Sequence, residues 1–321
     1  MPARPDGALA RARRAVGRRV RAAAEARGRA LVDLRRQRVV ERSYAGPIPE
    51  WEALPASTFT TPHPMPGVAW DPLPGLELLR GPLRPLAAEY APPPLPGVPD
   101  AERVELLRYY EGLDAASLHA LLRFVRPRRV IELGSGVSTL IARAALDRNA
   151  REGAPGELRA FDPYPRAPTA GVPELRAIAA EDVPVEEVAA LGPGDVLLVD
   201  TTHVVRTGGD VVRIYLDLLP RLAEGVLVHV HDVLLPYDYH RAWLENGWFW
   251  TEQYLLQAVL QGNDGWEVVL ADHHLHRDHG PAVAEAVAAY DPARHHPSAL
   301  WLRRRADGDP ASLADRLTAH R

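Results

Sequence analysis

The stretch RRVIELGSGVSTL, from Arg128 to Leu140, contains an apolar run, two glycines and a helix start in immediate succession. Residues 130–133 predict a short buried strand. Gly134 and Gly136 allow a tight turn, and the hydroxyl residues after them can cap a helix. Because such a turn presents backbone N–H groups, the stretch predicts a ligand site at the end of a strand.

Three later segments repeat the pattern of an apolar strand that ends on an acidic residue. They are 158–162, 195–200 and 225–232, closed by Asp162, Asp200 and Asp232. Glu132 plays the same part in the first strand, and stretches of helix length separate the four. The carboxyl ends of parallel strands lie along one edge of a sheet. We therefore predict a doubly wound α/β sheet with helices on both faces and its polar groups gathered at that edge.

The chain divides into three predicted zones. Residues 1–44 are rich in Ala and Arg, which predicts a helical arm that packs on the domain or on a second subunit, giving a homo-oligomer. Contact with anionic membranes or nucleic acid is the alternative for this arm. Residues 45–100 are dense in proline and are predicted to be an extended connector with little regular structure. Residues 101–321 hold the sheet.

The end of the chain predicts two more strands, at 266–271 and 299–302, after an aromatic and then helical segment at 243–261. The connection between these strands is rich in histidine: His273, His274, His276 and His279. Their irregular spacing and the lack of cysteine favour a solvent-exposed loop over a structural metal site.

Composition excludes several classes of chemistry. The 321 residues include no cysteine, which excludes disulfides and thiol catalysis, and no lysine, which excludes a Walker lysine and a pyridoxal Schiff base. A net charge of −4 gives no reason to expect nucleic acid as the main partner. No apolar run approaches the roughly 18 residues of a transmembrane helix, and no signal core follows the first arginines, so we expect a cytoplasmic protein.

The segment from Glu132 to Thr139 resembles the first motif of class I S-adenosylmethionine-dependent methyltransferases. Segments 198–203, 227–232, 236–239 and 250–256 are similar to one bacterial branch of that family, which acts on hydroxyl groups of small molecules. The resemblance covers residues 105 to 305, roughly, and implies a Rossmann-like sheet of seven strands whose last two form an antiparallel pair. It leaves the acceptor unspecified.

The resemblance implies which residues bind the methyl donor, S-adenosylmethionine. They are Glu132, Gly134, Ser135 and Gly136 on the methionine and ribose side, Ser138 and Thr139 at the helix start, Asp162 at the ribose hydroxyls, Glu181 or Asp182 near adenine, and Asp200. A turn cap is the alternative for Asp162, and a structural hydrogen bond is the alternative for Glu132.

Histidines and carboxylates are expected beside the transferred methyl group. Strand alternation places His229 and His231 on one side, and an ordinary histidine pKa of about 6.5 suits a general base. We take His203, His231 and Asp232 as catalytic, whereas a satisfied core position is the stronger alternative for His229.

The same side chains permit a divalent metal ion, with Asp200, Asp232 and His231 as ligands. Metal-dependent O-methyltransferases are similar in placing acidic ligands at these two strand ends, but this chain has histidine where they commonly have Asp or Asn. The metal and the histidine base therefore stay alternatives. A nitrogen-rich site favours Fe²⁺, Mn²⁺ or Zn²⁺ over Mg²⁺.

The function implied is methyl transfer (EC 2.1.1) to a hydroxyl of a small molecule or glycan-like acceptor, in secondary metabolism or surface-polysaccharide synthesis. Aromatic residues suit the walls of an acceptor site or, alternatively, core and interface positions: Tyr237, Tyr239, Trp243, Trp248, Trp250 and Tyr254. N- or C-methylation, other chemistry on the same cofactor and cofactor binding without catalysis stay open. A nicotinamide enzyme is disfavoured because Thr139 stands where its turn has a third glycine.

Overall fold

The structure is a computed structural model that describes residues 46–95, 98–165, 169, 172 and 174–305. The arm predicted for residues 1–44 lies outside these residues. The chain forms two compact units, residues 1–52 and 53–321. Only residues 46–52 of the first unit are described, and they are bends leading into the 3₁₀ turn Trp51–Ala53.

In the described part of the second unit, seven strands form one sheet. The strands are β1 (Arg129–Leu133), β2 (Glu157–Phe161), β3 (Leu175–Arg176), β4 (Val196–Val199), β5 (Leu227–Val230), β6 (Trp266–Ala271) and β7 (Leu300–Arg304). The described helices are α1 (Leu73–Arg80), α2 (Arg84–Ala87), α3 (Asp100–Arg108), α4 (Gly112–Val125), α5 (Val137–Arg151), α6 (Val185–Ala189), α7 (Asp210–Arg213), α8 (Arg241–Glu245), α9 (Glu252–Leu260) and α10 (Asp272–Ala286). Shorter turns are Ala56–Phe59, Ala180–Asp182, the π-helical turn Ile214–Leu218 and Leu219–Arg221.

The strand order is β3-β2-β1-β4-β5-β7-β6. Strands β1 to β5 pair in parallel, whereas β7 runs antiparallel to both β5 and β6. The order reverses between β1 and β4, which is where open α/β sheets bind their ligands. The predicted Rossmann-like fold, with a final antiparallel pair, is confirmed. The short strand β3 had not been predicted.

Helices cover both faces of the sheet. On one face, α4 and α5 contribute Leu118, Leu121 and Ile141 to an apolar cluster that also contains Trp301 of β7. On the other face, Leu133 and Val199 pack in a second cluster with residues from α9 and the π-helical turn. The prediction of helices on both faces is therefore confirmed. None of the helices among the described residues is both long and apolar enough to cross a membrane.

The proline-rich segment 45–100 contains more regular structure than predicted. Helix α1 lies in it, and Leu76, Leu78 and Leu79 of this helix are buried in the core. Pro74 is compatible with the helix because it stands in the first turn, where a backbone N–H has no intrahelical partner. The expectation of an extended connector is wrong for this part of the segment.

The histidine-rich connection between β6 and β7 is also not a loop. His273, His274, His276 and His279 all lie in α10, and His273 is buried. The helix has a kink at His279, where φ is −132°, and Pro281 opens its second half. The exposed-loop prediction was wrong because proline two residues beyond a kink is tolerated as the start of a new helical segment.

Candidate active site

The carboxyl ends of the parallel strands stop at the same level. Leu133 of β1 is in register with Phe161 of β2 and with Val199 of β4, and Val199 is in register with Val230 of β5. The residue that follows each strand therefore lies along one edge of the sheet. These residues are Gly134, Asp162, Asp200 and His231.

Gly134 makes the tight turn at the switch point of the sheet. Its φ is +97°, a left-handed conformation that favours glycine, and its N–H donates to the Phe161 carbonyl at 2.8 Å. A Cβ at this position would collide with the carbonyl oxygen of Asp200. The turn is thus pressed directly against the end of β4. At Gly136, by contrast, a Cβ would meet no atom within 4 Å.

Glu132 is fully buried below this turn, with one oxygen satisfied and one not. Its Oε1 accepts from the Ser138 hydroxyl at 2.6 Å, whereas its Oε2 has no hydrogen-bond partner among the described residues. Burial raises the pKa of Glu132 to about 8. The structural hydrogen bond weighed for Glu132 is present, and it leaves capacity for one more donor.

Asp162 follows β2 as predicted and binds the glycine turn. Its Oδ2 accepts from the Ser135 hydroxyl and its Oδ1 from the Tyr164 N–H, both at 2.7 Å. The second contact is the turn cap that was the alternative reading of this residue. Each carboxylate oxygen can accept a further hydrogen bond, so the cap does not prevent ligand binding.

The other residues predicted to bind S-adenosylmethionine lie partly inside the turn and partly at the surface. Ser138 and Thr139 are buried and turned inward, because Ser138 binds Glu132 and Thr139 Oγ1 accepts from the Gly136 N–H at 3.0 Å. They shape the turn. Asp182 is exposed at the end of the 3₁₀ turn Ala180–Asp182, and its contact with adenine stays a prediction.

Asp200, His231 and Asp232 meet beyond the ends of β4 and β5. One oxygen or nitrogen atom from each lies within 4.8 Å of the other two. His231 Nδ1 is 3.8 Å from Asp200 Oδ2 and 3.6 Å from Asp232 Oδ1. The two carboxylates and one imidazole predicted from sequence are therefore together and form the acid–histidine cluster of this site.

His203 contacts the two carboxylates of the cluster through Nε2 and a third carboxylate through Nδ1. Its Nδ1–H donates to Glu252 Oε2 at 2.8 Å, and Nε2 is 3.4 Å from Asp200 Oδ1 and 3.5 Å from Asp232 Oδ2. Glu252 is fully buried and also accepts from the Tyr215 hydroxyl at 2.9 Å. Two partners thus fix this carboxylate, and the carboxylate fixes the orientation of the His203 ring.

Residues from outside the parallel sheet hold the cluster. Asp114 of α4 lies 3.4 Å from His231 Nε2 and accepts from the backbone N–H groups of Ser298 and Ala299. The Ser298 hydroxyl donates to Asp232 Oδ1 at 2.9 Å. Tyr110 stacks on His231, with ring centres 4.4 Å apart.

The backbone is strained at two residues of the site. Four non-glycine residues in the described part of the chain have positive φ, and two of them are His203 (60°) and Asp232 (57°). This conformation is disfavoured for residues with a side chain, so the surrounding contacts must enforce it. Backbone strain of this kind concentrates at functional sites.

Neighbouring carboxylates raise the pKa of both imidazoles of the cluster. Burial alone would lower the pKa of His231, but Asp232 and Asp200 outweigh it and raise the value to about 9. Burial likewise opposes the raised pKa of His203, which Asp200 and Glu252 hold well above its ordinary value. A protonated imidazole cannot accept a proton, so these directions count against either residue as a free general base.

His229 lies in the core with its side chain hydrogen-bonded, which was the alternative to a catalytic role for this residue. Its Nε2 shares a hydrogen bond of 2.9 Å with the Tyr110 hydroxyl, and its ring meets the edge of Trp301. It lies on the same side of β5 as His231, with nearly parallel rings 6.1 Å apart. Burial, followed by the nearby His231, lowers the pKa of His229 to about 3.

This buried neutral histidine predicts a loss of stability in acid. Below pH 6.5, approximately, the unfolded chain protonates residue 229 while the folded protein does not until pH is about 3. Stability therefore falls as pH decreases through that window, by about 1.4 kcal/mol per pH unit for one such group. His229→Gln should reduce the pH slope of the unfolding free energy, measured by urea titration at several pH values. An unchanged slope would show that His229 is charged in the folded protein.

An aromatic group extends from the cluster to the surface. The Trp250 ring lies 4.5 Å from that of His203, and Trp248 stacks on Trp250 at 5.3 Å with an interplanar angle of 10°. Trp243, Tyr239 and Tyr254 continue the group. Trp248 is 37% exposed, so the group opens to solvent.

The segment that contains the glycine turn and the cluster matches a known family. Residues 131–233 match the model of a family described as a methyltransferase domain. Over this segment the chain is similar to methyltransferase domains. No curated protein matches the chain. Among solved structures, the chain is similar to a "putative methyltransferase" from Thermobifida fusca YX, with 16% identity over 74% of this chain and 100% of that one. The TM-score is 0.35.

Several residues of the site lie outside the matched segment and were missed in the sequence. They are Tyr110, Asp114, Glu252 and Ser298. The available signals were an acidic residue inside the apolar pattern of α4 and another at the start of α9. Neither signal identifies a partner, because Asp114 and Ser298 are 184 residues apart.

Proposed function

We propose that the domain transfers a methyl group from S-adenosylmethionine to a hydroxyl of a small-molecule or glycan-like acceptor (EC 2.1.1). The observation that carries this proposal is the position of the acid–histidine cluster, directly beside the glycine turn where a Cβ on Gly134 would strike Asp200. A methyl donor bound at the turn and a methyl acceptor bound at the cluster would therefore be neighbours. Methyl transfer depends mainly on such positioning and on removal of the acceptor proton.

The glycine turn fits S-adenosylmethionine, which supplies the methyl group from its sulfonium. The space beside Gly136 is open. Asp162 can accept further hydrogen bonds, as from ribose hydroxyls, and Glu132 has one oxygen without a hydrogen-bond partner among the described residues. We assign contacts with S-adenosylmethionine to these residues, Gly136, Asp162 and Glu132, together with Gly134 and Ser135. Ser138 and Thr139 support the turn from behind.

The aromatic group fits the acceptor side of the reaction. Trp250 contacts His203 at one end, and Trp248 reaches solvent at the other. Flat aromatic faces bind sugar and aromatic rings while polar groups at the end of the site fix the reacting hydroxyl. We place the acceptor ring against these indoles, with its hydroxyl directed towards Asp200 and Asp232.

The cluster fits a divalent metal ion better than it fits an uncharged histidine base. Two carboxylates and one imidazole, with atoms within 4.8 Å of each other, form a donor set for Mn²⁺, Fe²⁺ or Zn²⁺. Since His203 already binds Glu252, the set has more oxygen than nitrogen, which also admits Mg²⁺. An ion held there would lower the pKa of the acceptor hydroxyl and fix its orientation.

Removal of divalent ions is expected to abolish methyl transfer. Activity should fall at least about 100-fold after dialysis against a chelator and return when Mn²⁺, Fe²⁺, Zn²⁺ or Mg²⁺ is added singly. The measurement is the rate of S-adenosylhomocysteine formation with a panel of hydroxylated acceptors. Full activity in chelator would show that no metal ion is needed and that the side chains alone activate the acceptor hydroxyl.

Calorimetry tests the donor directly. S-adenosylmethionine and S-adenosylhomocysteine should each bind with 1:1 stoichiometry, and NAD should not bind. A Gly136→Ala variant, which fills the open space, provides the matched control and should bind both more weakly. Binding of NAD alone would overturn the proposed function, and donor binding without turnover on any acceptor would limit it to cofactor binding.

A further inference from the structure

Three consecutive residues, 250–252, hold His203 through its backbone and its ring. The Trp250 ring lies 4.5 Å from the imidazole. The backbone N–H groups of Thr251 and Glu252 both donate to the His203 carbonyl, at 2.8 and 3.1 Å. The Glu252 carboxylate accepts from Nδ1 of the ring at 2.8 Å. One short segment therefore determines where this residue lies and how its ring is turned.

The backbone contacts account for the left-handed conformation of His203. Its φ of 60° is disfavoured for a residue with a side chain, and such a conformation persists only where surrounding contacts enforce it. The two donors to its carbonyl supply these contacts. Thr251 adds a third contact through its hydroxyl oxygen, which accepts from the Val205 N–H at 2.8 Å. The segment thus binds the chain at His203 and two residues beyond it.

Glu252 is itself fixed at both carboxylate oxygens. It is fully buried, and while Oε2 binds His203, Oε1 accepts from the Tyr215 hydroxyl at 2.9 Å. Tyr215 is also buried and lies in the π-helical turn Ile214–Leu218, a rare kind of turn that is frequent at functional sites. A buried carboxylate needs such donors to offset its loss of hydration. With both oxygens bound, its position sets that of the imidazole.

The other nitrogen of the His203 ring faces the two carboxylates of the acid–histidine cluster. Nε2 lies 3.4 Å from Asp200 Oδ1 and 3.5 Å from Asp232 Oδ2. Ionised carboxylates only accept hydrogen bonds, so Nε2 can contact them as a donor. The second oxygens of Asp200 and Asp232 face His231 Nδ1, at 3.8 and 3.6 Å. Rotation of the His203 ring would therefore remove one contact from each carboxylate.

We propose that Glu252 is a positioning residue that acts through His203 to hold Asp200 and Asp232 in the arrangement needed for methyl transfer. This inference rests on the proposed function, in which the acceptor hydroxyl is directed towards these two carboxylates. His203 then orients the carboxylates and does not remove the acceptor proton. Because a misplacement of about 1 Å can lower a rate by about 100-fold, loss of this contact should affect kcat and not donor affinity.

Two variants of Glu252 test the contact. Glu252→Met has a side chain of similar length without an acceptor oxygen, and its kcat should fall by about 100-fold while the Kd for S-adenosylmethionine changes by less than about twofold. Glu252→Gln keeps a carbonyl oxygen that can accept from Nδ1 of His203. It should restore kcat to within about tenfold of the parent, as measured by steady-state kinetics with calorimetry of donor binding.

A variant of Tyr215 makes a milder change and keeps the test open if Glu252→Met does not fold. Tyr215→Phe removes one of the two hydrogen bonds to Glu252, and its kcat should fall about fivefold with donor affinity unchanged. Tyr290→Phe is the matched control. It also removes a buried hydroxyl that binds a histidine, His276, but this histidine lies outside the cluster, so kcat should equal that of the parent.

Crystal structures of the parent, Glu252→Met and Tyr215→Phe give a readout that needs no turnover. In both variants the His203 ring should turn, so that Nε2 moves beyond hydrogen-bond distance of Asp200 or Asp232. An unmoved ring, or parental kcat in both variants, would overturn the positioning role. If the ring moves but the parent methylates no acceptor, the proposed function fails while the contact through Glu252 stands.

Discussion

Replacing Asp232 by Asn is expected to lower kcat by roughly 100-fold or more while the affinity for S-adenosylmethionine stays nearly unchanged. Asp232 lies within 3.6 Å of both His231 and His203, so the change removes a negative charge from the centre of the cluster. The structure should survive. Asn tolerates the left-handed conformation seen at this position, and its side-chain oxygen can still accept from Ser298.

The result is checked by steady-state kinetics together with calorimetry of donor binding. Asp217→Asn is the matched control, because Asp217 is half-exposed and pairs with Arg213 one helical turn away. Its kcat should equal that of the parent. If Asp232→Asn retains full turnover, or if its main effect is on donor affinity, Asp232 does not act at the acceptor hydroxyl.

The two glycines of the turn are expected to respond oppositely to alanine. Gly134→Ala should cost about 3 kcal/mol or more of folding free energy, because it adds a Cβ at φ +97° and drives it into the Asp200 carbonyl. Gly136→Ala should leave stability nearly unchanged, since its φ of −178° is extended and its Cβ meets open space. That space is where we place the donor, so S-adenosylmethionine affinity should fall roughly tenfold.

Urea unfolding and calorimetry on both variants separate these effects. Each variant is the control for the other, since both make the same chemical change within one turn. Normal donor affinity in Gly136→Ala would mean that the donor does not lie beside this glycine. Normal stability in Gly134→Ala would mean that the turn and the end of β4 can move apart.

The sequence predicted the parts of this fold and site that depend on local pattern. Apolar runs closed by acidic residues located β2, β4 and β5, and the aligned ends of parallel strands brought Asp200, His231 and Asp232 together. These predictions succeeded because strand period and strand direction determine where a side chain points.

The parts that failed depend on contacts between distant segments. Asp114 meets His231 only because α4 packs beside the sheet, and Glu252 orients His203 across 49 residues of sequence. The left-handed backbone at His203 is enforced by tertiary contacts, and no local signal marks it. The raised pKa of His231 was likewise missed, because it requires knowing that two carboxylates face the ring.

The position of β7 has a consequence for how a nascent chain folds. This strand comes last in sequence among the described strands, yet it lies inside the sheet, between β5 and β6. During synthesis, one side of β5 has no hydrogen-bonding partner until β7 leaves the ribosome, and such an apolar flank is open to association with other chains. Ser298, the partner of both Asp114 and Asp232, emerges just ahead of β7. The acid–histidine cluster and the sheet are therefore completed together, only once β7 has been synthesised.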